Sequence, residues 1–488
     1  MPDPTPYPLD HLARRGAGDA PALVVGETRL TFGDLERLTG ETAAALLNRG
    51  LSSGDRVATW MGKTVTACVM PLAAARAGLV HVPINPVLKR AQAAHILADS
   101  GARLLIANKA RLDSLEKSDG EGTDLIALEE WRTEGDALPP SNHDPDTLTA
   151  LLYTSGSTGR PKGVMLSHAN LWLGAISVAH YLDLAPSDRT LCVLPLAFDY
   201  GQSQLLSTWA AGACAIAFDY LLANDVKKAV RRHDVTVLAG VPPLWNQLAA
   251  LDWSDGSGES LRTLTNSGGH LAEPVVRRLR SLFPEARLHL MYGLTEAFRS
   301  SSLDPALVDR HPDSVGTPIP FAQLRIVRED GSEAEPGEEG ELVHTGPLVA
   351  KGYWNDPERT AMRFRSGAVW SGDRFVKGTD SLLRFRGRVD AMIKVSGNRL
   401  SPNEVEELAL ASGAVSEAAA FGVPDEALGQ AVGLVAVAKG PEAEDRLRRW
   451  LAAVAPAYMM PKRVIWLARL PTGSTGKVDR TALEAMFR

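Results

Sequence analysis

The sequence predicts an α/β fold with largely parallel sheets, followed by an antiparallel region and a compact C-terminal unit. Up to about residue 310, strand patterns alternate with helix patterns, which is typical of parallel sheets covered by helices. Beyond that point, short strands are separated by Asp-Gly and Pro-Gly turn signals. A length of 488 residues also favours more than one domain.

The N-terminal elements follow this alternation. Residues 29–50 carry leucines and alanines at helical spacing, with Thr31 as a candidate N-cap and Gly50 as a candidate stop. Residues 55–61 predict a buried strand, and residues 65–78 predict a helix. The alternation continues with a helix over ANLWLGAISVAHYL and with strands over ARLLIA, TLTALLYT, RTLCVL and VTVLAG.

The chain changes character again near its C-terminal end. From about residue 310, TPIPFAQLRIVREDGSEAEPGEEGELVHTGP predicts antiparallel strands or a small barrel. After GRVD at 387–390 comes a compact segment with helices over PNEVEELALAS and Leu447–Leu451 and strands over AVSEAAAFGV and QAVGLVAVAKG. We therefore expect a large domain over residues 1–388 and a small one over residues 389–488.

The composition is that of an ordinary globular protein. It is 45% hydrophobic and 23% charged, with a net charge of −6, so charge gives no reason to expect binding to nucleic acid or to an anionic membrane. The sequence shows no signal peptide and no apolar run of about 18 residues, and we expect a cytoplasmic protein without a membrane span. Cys68, Cys192 and Cys214 lie far apart in apolar surroundings and are expected to be buried free thiols.

The stretch TSGSTGRPKG at 154–163 predicts a phosphate-binding loop. Its glycines let backbone N–H groups approach an anion, and Ser155, Ser157 and Thr158 add hydroxyl donors. It is not a Walker loop, because no Ser or Thr follows Lys162 and the next residues resemble a strand. Composition alone leaves a flexible turn between two strands as the alternative.

Together with four later motifs, this loop resembles the AMP-forming adenylating superfamily of acyl-CoA ligases, amino-acid adenylation domains and luciferases. MYGLTEA at 291–297 resembles its YGLTE motif, and WSGDRF at 370–375 resembles its TGD motif, with Ser371 in place of the usual Thr. GRVDAMIKVSGNRLSPNEVE at 387–406 resembles the hinge motif, and LPTGSTGKVDR at 470–480 resembles LPxxxxGK. VPINPVLKRAQAAHIL and MYGLTEAFRS also resemble acyl-CoA ligases associated with exosortase systems.

The resemblance implies a fold and a two-step reaction. The expected fold has a large N-terminal domain of two packed αβ sheet subdomains and a small β-barrel-like subdomain, followed by a small mobile C-terminal α+β domain. A carboxylate attacks the α-phosphate of ATP, giving an acyl-adenylate and pyrophosphate, and a thiol then displaces AMP. Because an anion approaches a polyanion, positive charge and Mg²⁺ are expected around the phosphates.

The resemblance also implies roles for residues near ATP. Glu296 is the expected Mg²⁺ ligand, since Mg²⁺ prefers one or two carboxylates with substrate phosphates, and Thr295 is expected to contact the α-phosphate. Asp373 is expected to bind the ribose, with Arg388 near the same ribose. His270, which departs from the family pattern, is given no acid–base role. The adenine is expected near Gly268, Gly269, His270 and Tyr292. The full set expected to bind ATP or AMP is Thr154, Ser155, Gly156, Ser157, Thr158, Gly159, Lys162, Gly268, Gly269, His270, Tyr292, Gly293, Thr295, Asp373, Arg388 and Arg399.

A second lysine is the expected catalytic one. Lys477, in LPTGSTGK, matches the lysine that contacts the carboxylate and the α-phosphate during adenylation. The resemblance implies that the small domain supplies this lysine and rotates about Asp390 between the half-reactions. Ser396 and Gly397 then match the loop that approaches the thiol donor.

The acid is expected near residues 194–204, where Asp199 stands in an FD motif. A similar aspartate binds the α-ammonium in amino-acid-activating members, and a buried aspartate is costly without a cation or hydrogen bonds. The segment FDYG also resembles the FAYG of aryl-CoA ligases, and Asp199 as a helix cap or a partner of a local cation is a further alternative. The expected pocket residues are Asp199, Tyr200, Trp245, Gly268, Gly293 and Leu294, of which Tyr200 and Trp245 are alternatively core.

Three functions follow from these expectations. The first is an acid–CoA ligase. The second is a stand-alone enzyme that loads an amino acid or similar polar acid on the phosphopantetheine arm of a separate carrier protein, since no carrier domain follows the lysine loop. The third is a non-catalytic nucleotide-binding relative, against which the intact Lys477, Glu296 and Asp373 argue.

Overall fold

The computed structural model describes residues 1–133, 135–154, 161–388, 393–395, 398–425, 429–455 and 459–487, without the side chains of Lys394, Asn398 and Arg399. Within these ranges, no helix has the length and apolar character needed to cross a lipid bilayer. The location expected from the sequence stays a prediction.

The first sheet has six strands and carries the predicted phosphate loop at one edge. Its neighbouring strands are parallel, except for the last pair, which is antiparallel. The prediction that TSGSTGRPKG joins two strands is therefore confirmed. In spatial order the strands are Asp124–Ala127, Leu104–Ala107, Arg56–Trp60, Val80–Ile84, Leu148–Thr154 and Lys162–Ser167.

The second sheet has nine strands, and its central six are parallel. The two strands at one edge and the single strand at the other edge are antiparallel to their neighbours. In spatial order the strands are Thr317–Pro318, Ser301–Ser302, Arg287–Tyr292, Thr263–Asn266, Val237–Gly240, Arg189–Cys192, Cys214–Ala217, Pro21–Val25 and Thr28–Thr31.

Helices alternate with the strands of both sheets, as the sequence predicts. Thr31 caps the first helix: its hydroxyl accepts a hydrogen bond from the Asp34 N–H, and the Asp34 carboxylate accepts one from the Thr31 N–H. Gly50, at φ +78°, follows the end of that helix in a conformation that suits glycine. The helices of this region are Phe32–Asn48, Val65–Arg76, Arg90–Ser100, Lys109–Leu112, His168–Tyr181, Asp199–Ala210, Ala223–Arg232, Pro242–Ala249 and Glu273–Leu282.

The three cysteines are buried free thiols, as the sequence predicts. Burial raises the pKa of the Cys68 thiol to about 12. Each is therefore a small apolar core residue rather than a nucleophile.

The region after residue 310 forms a five-stranded antiparallel sheet, in agreement with its turn-rich sequence. This sheet brings Asp373 directly opposite Arg388. Its strands are Gln323–Val327, Glu339–Thr345, Phe364–Arg365, Ala368–Lys377 and Leu383–Arg388, with the helix Pro357–Arg363 among them.

The C-terminal residues build a further sheet with its own apolar core. The predicted helices and the two long strands are present, whereas the strand Pro461–Leu467 was not predicted. It pairs in parallel with Gly429–Ala438, and PKRVIWL has too few alternating residues to signal a strand by itself. The strands are Ile393–Val395, Asn398–Leu400, Val415–Asp425, Gly429–Ala438 and Pro461–Leu467, and the helices are Pro402–Ala411, Ala443–Val454 and Arg480–Glu484.

Candidate active site

Four neighbouring parallel strands of the nine-stranded sheet end at the same edge. The carboxyl ends of parallel strands are where open α/β sheets bind ligands. In chain order, these strands are Arg189–Cys192, Val237–Gly240, Thr263–Asn266 and Arg287–Tyr292. The segments that follow them contain, in the same order, Asp199, Trp245, Gly268 and Gly293. The sheet topology therefore gathers residues that lie up to about 100 positions apart in the sequence.

A tight loop of the C-terminal unit presents Lys477 to this edge. Within the loop, the Gly473 N–H donates to the Lys477 carbonyl at 2.7 Å, and Thr472 bridges to Val478. The Asn85 amide donates to the Ser474 carbonyl at 2.6 Å. Asn85 follows a strand of the first sheet, so this hydrogen bond joins the lysine loop to the large unit.

The Lys477 side chain passes directly over Gly268. A Cβ at Gly268 would lie 2.8 Å from Lys477 Cε, and Gly268 has φ +79°, so both the space and the backbone favour glycine. Lys477 Nζ lies 4.8 Å from the centroid of the Phe198 ring. Burial lowers the pKa of Lys477, and the charge of Asp199 opposes that effect.

Glu296 forms a compact cluster with Lys162 and Tyr353. Its Oε1 lies 3.2 Å from Lys162 Nζ and accepts a hydrogen bond from the Tyr353 hydroxyl at 2.6 Å. Lys162 also donates to that hydroxyl at 2.7 Å. Burial disfavours the charge of Glu296, but the attraction of Lys162 and the hydrogen bond from Tyr353 outweigh it and lower the pKa of the carboxyl.

This cluster fits the expected Mg²⁺. Both contacts engage Oε1 of Glu296, and no other side chain hydrogen-bonds to Oε2 in the part of the chain that the structure describes. Nor do these residues contain a group of three or more His, Cys, Asp and Glu side chains that could hold a metal unaided. One ionised carboxylate suits an ion whose other ligands are phosphate oxygens and water.

Tyr292 and Arg388 both lie beside Asp373, the residue expected to bind the ribose. The Tyr292 hydroxyl donates to Asp373 Oδ2 at 2.5 Å, and Arg388 Nε lies 3.9 Å from Asp373 Oδ1. Burial raises the pKa of Tyr292 well above its usual value, and the nearby Asp373 raises it further. The phenol therefore stays protonated and orients the carboxylate.

His270 lies at the contact with the C-terminal unit. Its Nε2 is 2.8 Å from Glu407 Oε1, which belongs to the helix Pro402–Ala411. The ring thus faces a helix of the C-terminal unit. The sequence predicted a place beside adenine for His270 but did not predict this contact. Gly269 packs against Pro242, whose ring would lie 3.1 Å from a Cβ at that position.

Asp199 is the first residue of the helix Asp199–Ala210 and is 7% exposed. No Lys, Arg or His nitrogen of the described chain lies within 4.0 Å of its carboxylate, so the local-cation alternative is not seen. Burial raises the pKa of this carboxyl, while Arg299 and Lys477 oppose that effect. The N-cap residue is Phe198, and the helix has no side-chain cap hydrogen bond, so Asp199 is an acidic residue of the first turn, where the helix dipole favours negative charge.

Among the other predicted pocket residues, Tyr200 borders a cavity, whereas Trp245 lies in the core. Tyr200 lines a cavity, and its hydroxyl lies 2.6 Å from Thr265 Oγ1. Trp245 is fully buried in the core and packs under Gly240, where a Cβ would come within 2.9 Å of it. Leu294 precedes the short helical turn Thr295–Ala297. Trp245 therefore follows the core alternative.

Arg299 is a site residue that the sequence prediction missed. It is 2% exposed, its Nη1 donates to Ser267 Oγ at 2.6 Å, and its guanidinium lies 4.6 Å from the centroid of the Tyr200 ring. Phe298 adopts φ +58° and ψ −70°, and the Arg299 N–H donates to the Ala297 carbonyl. This strained γ-turn directs Arg299 toward the pocket. The signal available in the sequence was a lone arginine two residues after YGLTEA, in YGLTEAFR.

Several predicted residues lie outside the described part of the chain. Thr154, at the start of the phosphate loop, is described, and its buried hydroxyl has no hydrogen-bond partner there. Thr295 is buried beside Glu296. The residues outside the description are Ser155, Gly156, Ser157, Thr158, Gly159, Asp390, Ser396, Gly397 and the side chain of Arg399.

Comparisons with known proteins agree with this geometry. Residues 9–354 match the family model "AMP-binding enzyme", and residues 404–477 match "AMP-binding enzyme C-terminal domain". The chain is 35% identical over 476 residues to a feruloyl-CoA synthase of Amycolatopsis, with 96% of each chain covered. It is 33% identical to an L-proline–[L-prolyl-carrier protein] ligase of Pseudomonas fluorescens, with 95% of each covered.

Among solved structures, ATP-bound MatB from Rhodopseudomonas palustris superimposes with a TM-score of 0.91 at 26% identity, covering 99% of both chains. The predicted α/β architecture with a large N-terminal and a small C-terminal unit is thereby confirmed. The resemblance to ligases associated with exosortase systems stays a prediction. The two family matches together span most of the sequence, and the chain belongs to the AMP-binding enzyme family of AMP-forming acid–thiol ligases.

Proposed function

We propose that the protein activates a carboxylic acid as its acyl-adenylate and transfers the acyl group to CoA. The observation that carries this proposal is the position of Lys477, which the C-terminal unit places over Gly268 and beside Phe198 and Asp199. A buried ammonium at the edge where the parallel strands end stabilises the negative charge that develops as a carboxylate meets a phosphate.

The other residues hold the nucleotide in this proposal. Thr295 contacts the α-phosphate, Thr154 begins the phosphate loop, and Asp373 accepts hydrogen bonds from the ribose. The Tyr292 hydroxyl already orients one oxygen of Asp373. Mg²⁺, bound at Glu296, would neutralise phosphate charge. Lys162 keeps the Glu296 carboxylate ionised, which is a supporting role rather than the catalytic one.

CoA is the acceptor that we favour. One relative of nearly equal length is a CoA-thioester-forming enzyme by its name, feruloyl-CoA synthase. A cavity of about 320 Å³, lined by Lys63, His81, Pro195 and the loop residues 472–476, lies beside Lys477. Its volume is in the range of small-molecule sites. In the rotation proposed below, residues 472–476 would leave this cavity, which would then open further toward an extended thiol arm.

A carrier protein is the second candidate acceptor, with an amino acid as substrate. The Asp199 carboxylate supports it, since a buried carboxylate with no ion pair among the described residues suits a substrate ammonium. The similarity to an L-proline–[L-prolyl-carrier protein] ligase supports it as well.

A pyrophosphate-release assay tests both candidates. Fatty, aryl and amino acids are supplied with ATP and Mg²⁺, either alone, with CoA, or with a phosphopantetheinylated carrier protein, and thioesters are measured by mass spectrometry. We expect pyrophosphate and an acyl-CoA product. Pyrophosphate together with thioester on the carrier protein only would favour the second candidate, and ATP binding without turnover of any acid would contradict both.

We further propose that residues 389–488 rotate about Asp390 after adenylation, so that Ser396 and Gly397 approach the thiol. Such a rotation would break the contacts that Asn85 and His270 make with the C-terminal unit. Residues 1–388 would stay in place as the large domain. The separate apolar core of the C-terminal residues supports this division.

Asn85→Asp is expected to slow adenylation about fivefold. The aspartate keeps the oxygen that accepts from the Val87 N–H but loses the donor to the Ser474 carbonyl, a bond worth about 1 kcal/mol. Thioester formation from supplied acyl-AMP should be unchanged, because the lysine loop has left by then. Pyrophosphate release and thioester formation are measured separately, with the exposed Asn224→Asp as the control. Equal slowing of both steps would contradict this positioning role.

A further inference from the structure

Arg299 borders a small buried cavity that Tyr200, one of the predicted pocket residues, also lines. The cavity has a volume of about 20 Å³, and it is bounded by polar residues such as Thr265 and by apolar ones such as Val178 and Met291. That space holds little more than one water molecule. A long acyl chain therefore has no room here.

Arg299 forms no ion pair within the described part of the chain, although the more distant Asp199 carboxylate attracts its charge. In the part of the chain that the structure describes, no carboxylate lies within 4.0 Å of its guanidinium, and its Nε is buried without a hydrogen-bond acceptor. The hydroxyl of Ser267 and the face of Tyr200 are neutral partners. Buried charges are ordinarily paired, because burial of an unpaired charge is costly. The missing partner is therefore expected to arrive with a ligand.

The backbone holds this guanidinium in place. The γ-turn at Phe298 fixes the direction in which Arg299 leaves the main chain. Gly293 provides the space, since a Cβ there would lie 3.0 Å from Arg299 Cα and 3.1 Å from both Cδ and Nη1. Strained backbone positions persist where surrounding structure enforces them, often at ligand sites.

The position of Arg299 relative to Lys477 defines the shape of its ligand. Ser267, which holds Arg299, immediately precedes Gly268, over which Lys477 passes. The two buried cations thus contact consecutive residues, and the Asp199 carboxylate is attracted by both. A short acid whose reacting carboxylate lies at Lys477 has its far end directed toward Arg299.

We propose that this far end carries a second anionic group, which Arg299 binds, so that the substrates are short dicarboxylic acids with or without an α-amino group. This inference rests on the proposed function and specifies its substrate class. Asp199 would bind the ammonium if the α-amino group is present. Arg299 is then the residue that determines specificity, and it takes no part in the chemical step.

Matched pairs of acids test the proposal by pyrophosphate release. The pairs are succinate and butyrate, glutarate and pentanoate, L-aspartate and L-asparagine, and L-glutamate and L-glutamine. In at least one pair we expect the doubly acidic member to show a kcat/KM about 10- to 100-fold higher, the ratio of a hydrogen-bonded charge pair to its neutral counterpart. Preference confined to the amino-acid pairs would assign the ammonium to Asp199, and preference in the plain pairs would show that it is not needed.

Arg299→Met should abolish that preference, so that the ratio of kcat/KM between the doubly acidic acid and its neutral counterpart falls to about one. Arg299→Lys keeps a positive charge and should retain the preference within about threefold, and melting temperatures show that both variants are folded. A preference that survives in the methionine variant, or a wild-type preference for the neutral acids, would overturn the inference.

The proposed function is tested separately by the same data. Turnover of other acids with no response to diacids would overturn the role of Arg299 and leave the acid–thiol ligase proposal standing. Absence of pyrophosphate release with every acid would overturn both.

Discussion

Lys477→Ala is expected to lower the rate of adenylate formation by about 10²- to 10³-fold, the usual effect of losing one preorganised group that stabilises developing charge. Lys477 is held over Gly268 and beside the Phe198 ring. Alanine removes the ammonium and leaves the surrounding residues Gly268 and Phe198 unchanged. Thioester formation from supplied acyl-AMP should survive, because in the proposed rotation the lysine leaves the site before the thiol arrives.

The two half-reactions are measured separately to check this prediction. Pyrophosphate release reports the first, and thioester formation from synthetic acyl-AMP reports the second. Lys439→Ala provides a matched control, since Lys439 belongs to the same unit and is exposed. An equal loss in both half-reactions would show that Lys477 supports the structure or the thiol step instead.

Glu296→Gln is expected to lower adenylation about 100-fold and to raise the Mg²⁺ concentration needed for half-maximal activity. Glutamine retains an oxygen that accepts from Tyr353 but removes the charge that attracts Lys162 and the metal. Mg²⁺ binds neutral amide oxygens more weakly than carboxylates. The surrounding contacts that lower the pKa of the Glu296 carboxyl keep it charged at neutral pH in the wild type.

A Mg²⁺ titration of pyrophosphate release measures this effect. Tyr353→Phe removes the hydrogen bond to Oε1 but leaves the carboxylate, so it should change the Mg²⁺ requirement much less. Glu285→Gln, at an exposed position shortly before in the sequence, is the surface control. A slower Glu296→Gln enzyme with an unchanged Mg²⁺ requirement would contradict the metal-binding role.

The sequence predicted those features that depend on local pattern. The cap at Thr31, the strand-to-strand loop after Thr154 and the antiparallel region all follow from side-chain period and turn residues. The family resemblance predicted that Asp373 and Arg388 lie near the same ribose. The sheet register shows what brings them together, since the two residues lie directly opposite each other on neighbouring strands.

Other features depend on tertiary placement, which no local pattern records. The sequence VPPLW at 241–245 is compatible with both the core and the pocket. Only the packing of Gly240 on Trp245 decides between them. The contact of His270 with Glu407 depends on where the C-terminal unit docks. The inward direction of Arg299 depends on a positive φ at Phe298, which is uncommon for an aromatic residue and has no sequence signal.

The turn at Phe298 has a consequence for how this protein can acquire new substrates. Glu296 and Arg299 are three residues apart, yet one contacts Lys162 and Tyr353 while the other contacts Ser267 and Tyr200. Under the roles proposed above, the metal-binding residue and the residue that selects the acid thus lie in one short segment but in separate surroundings. Exchange of residues 298–300 between relatives would then change the preferred acid while Glu296 and its contacts stay the same.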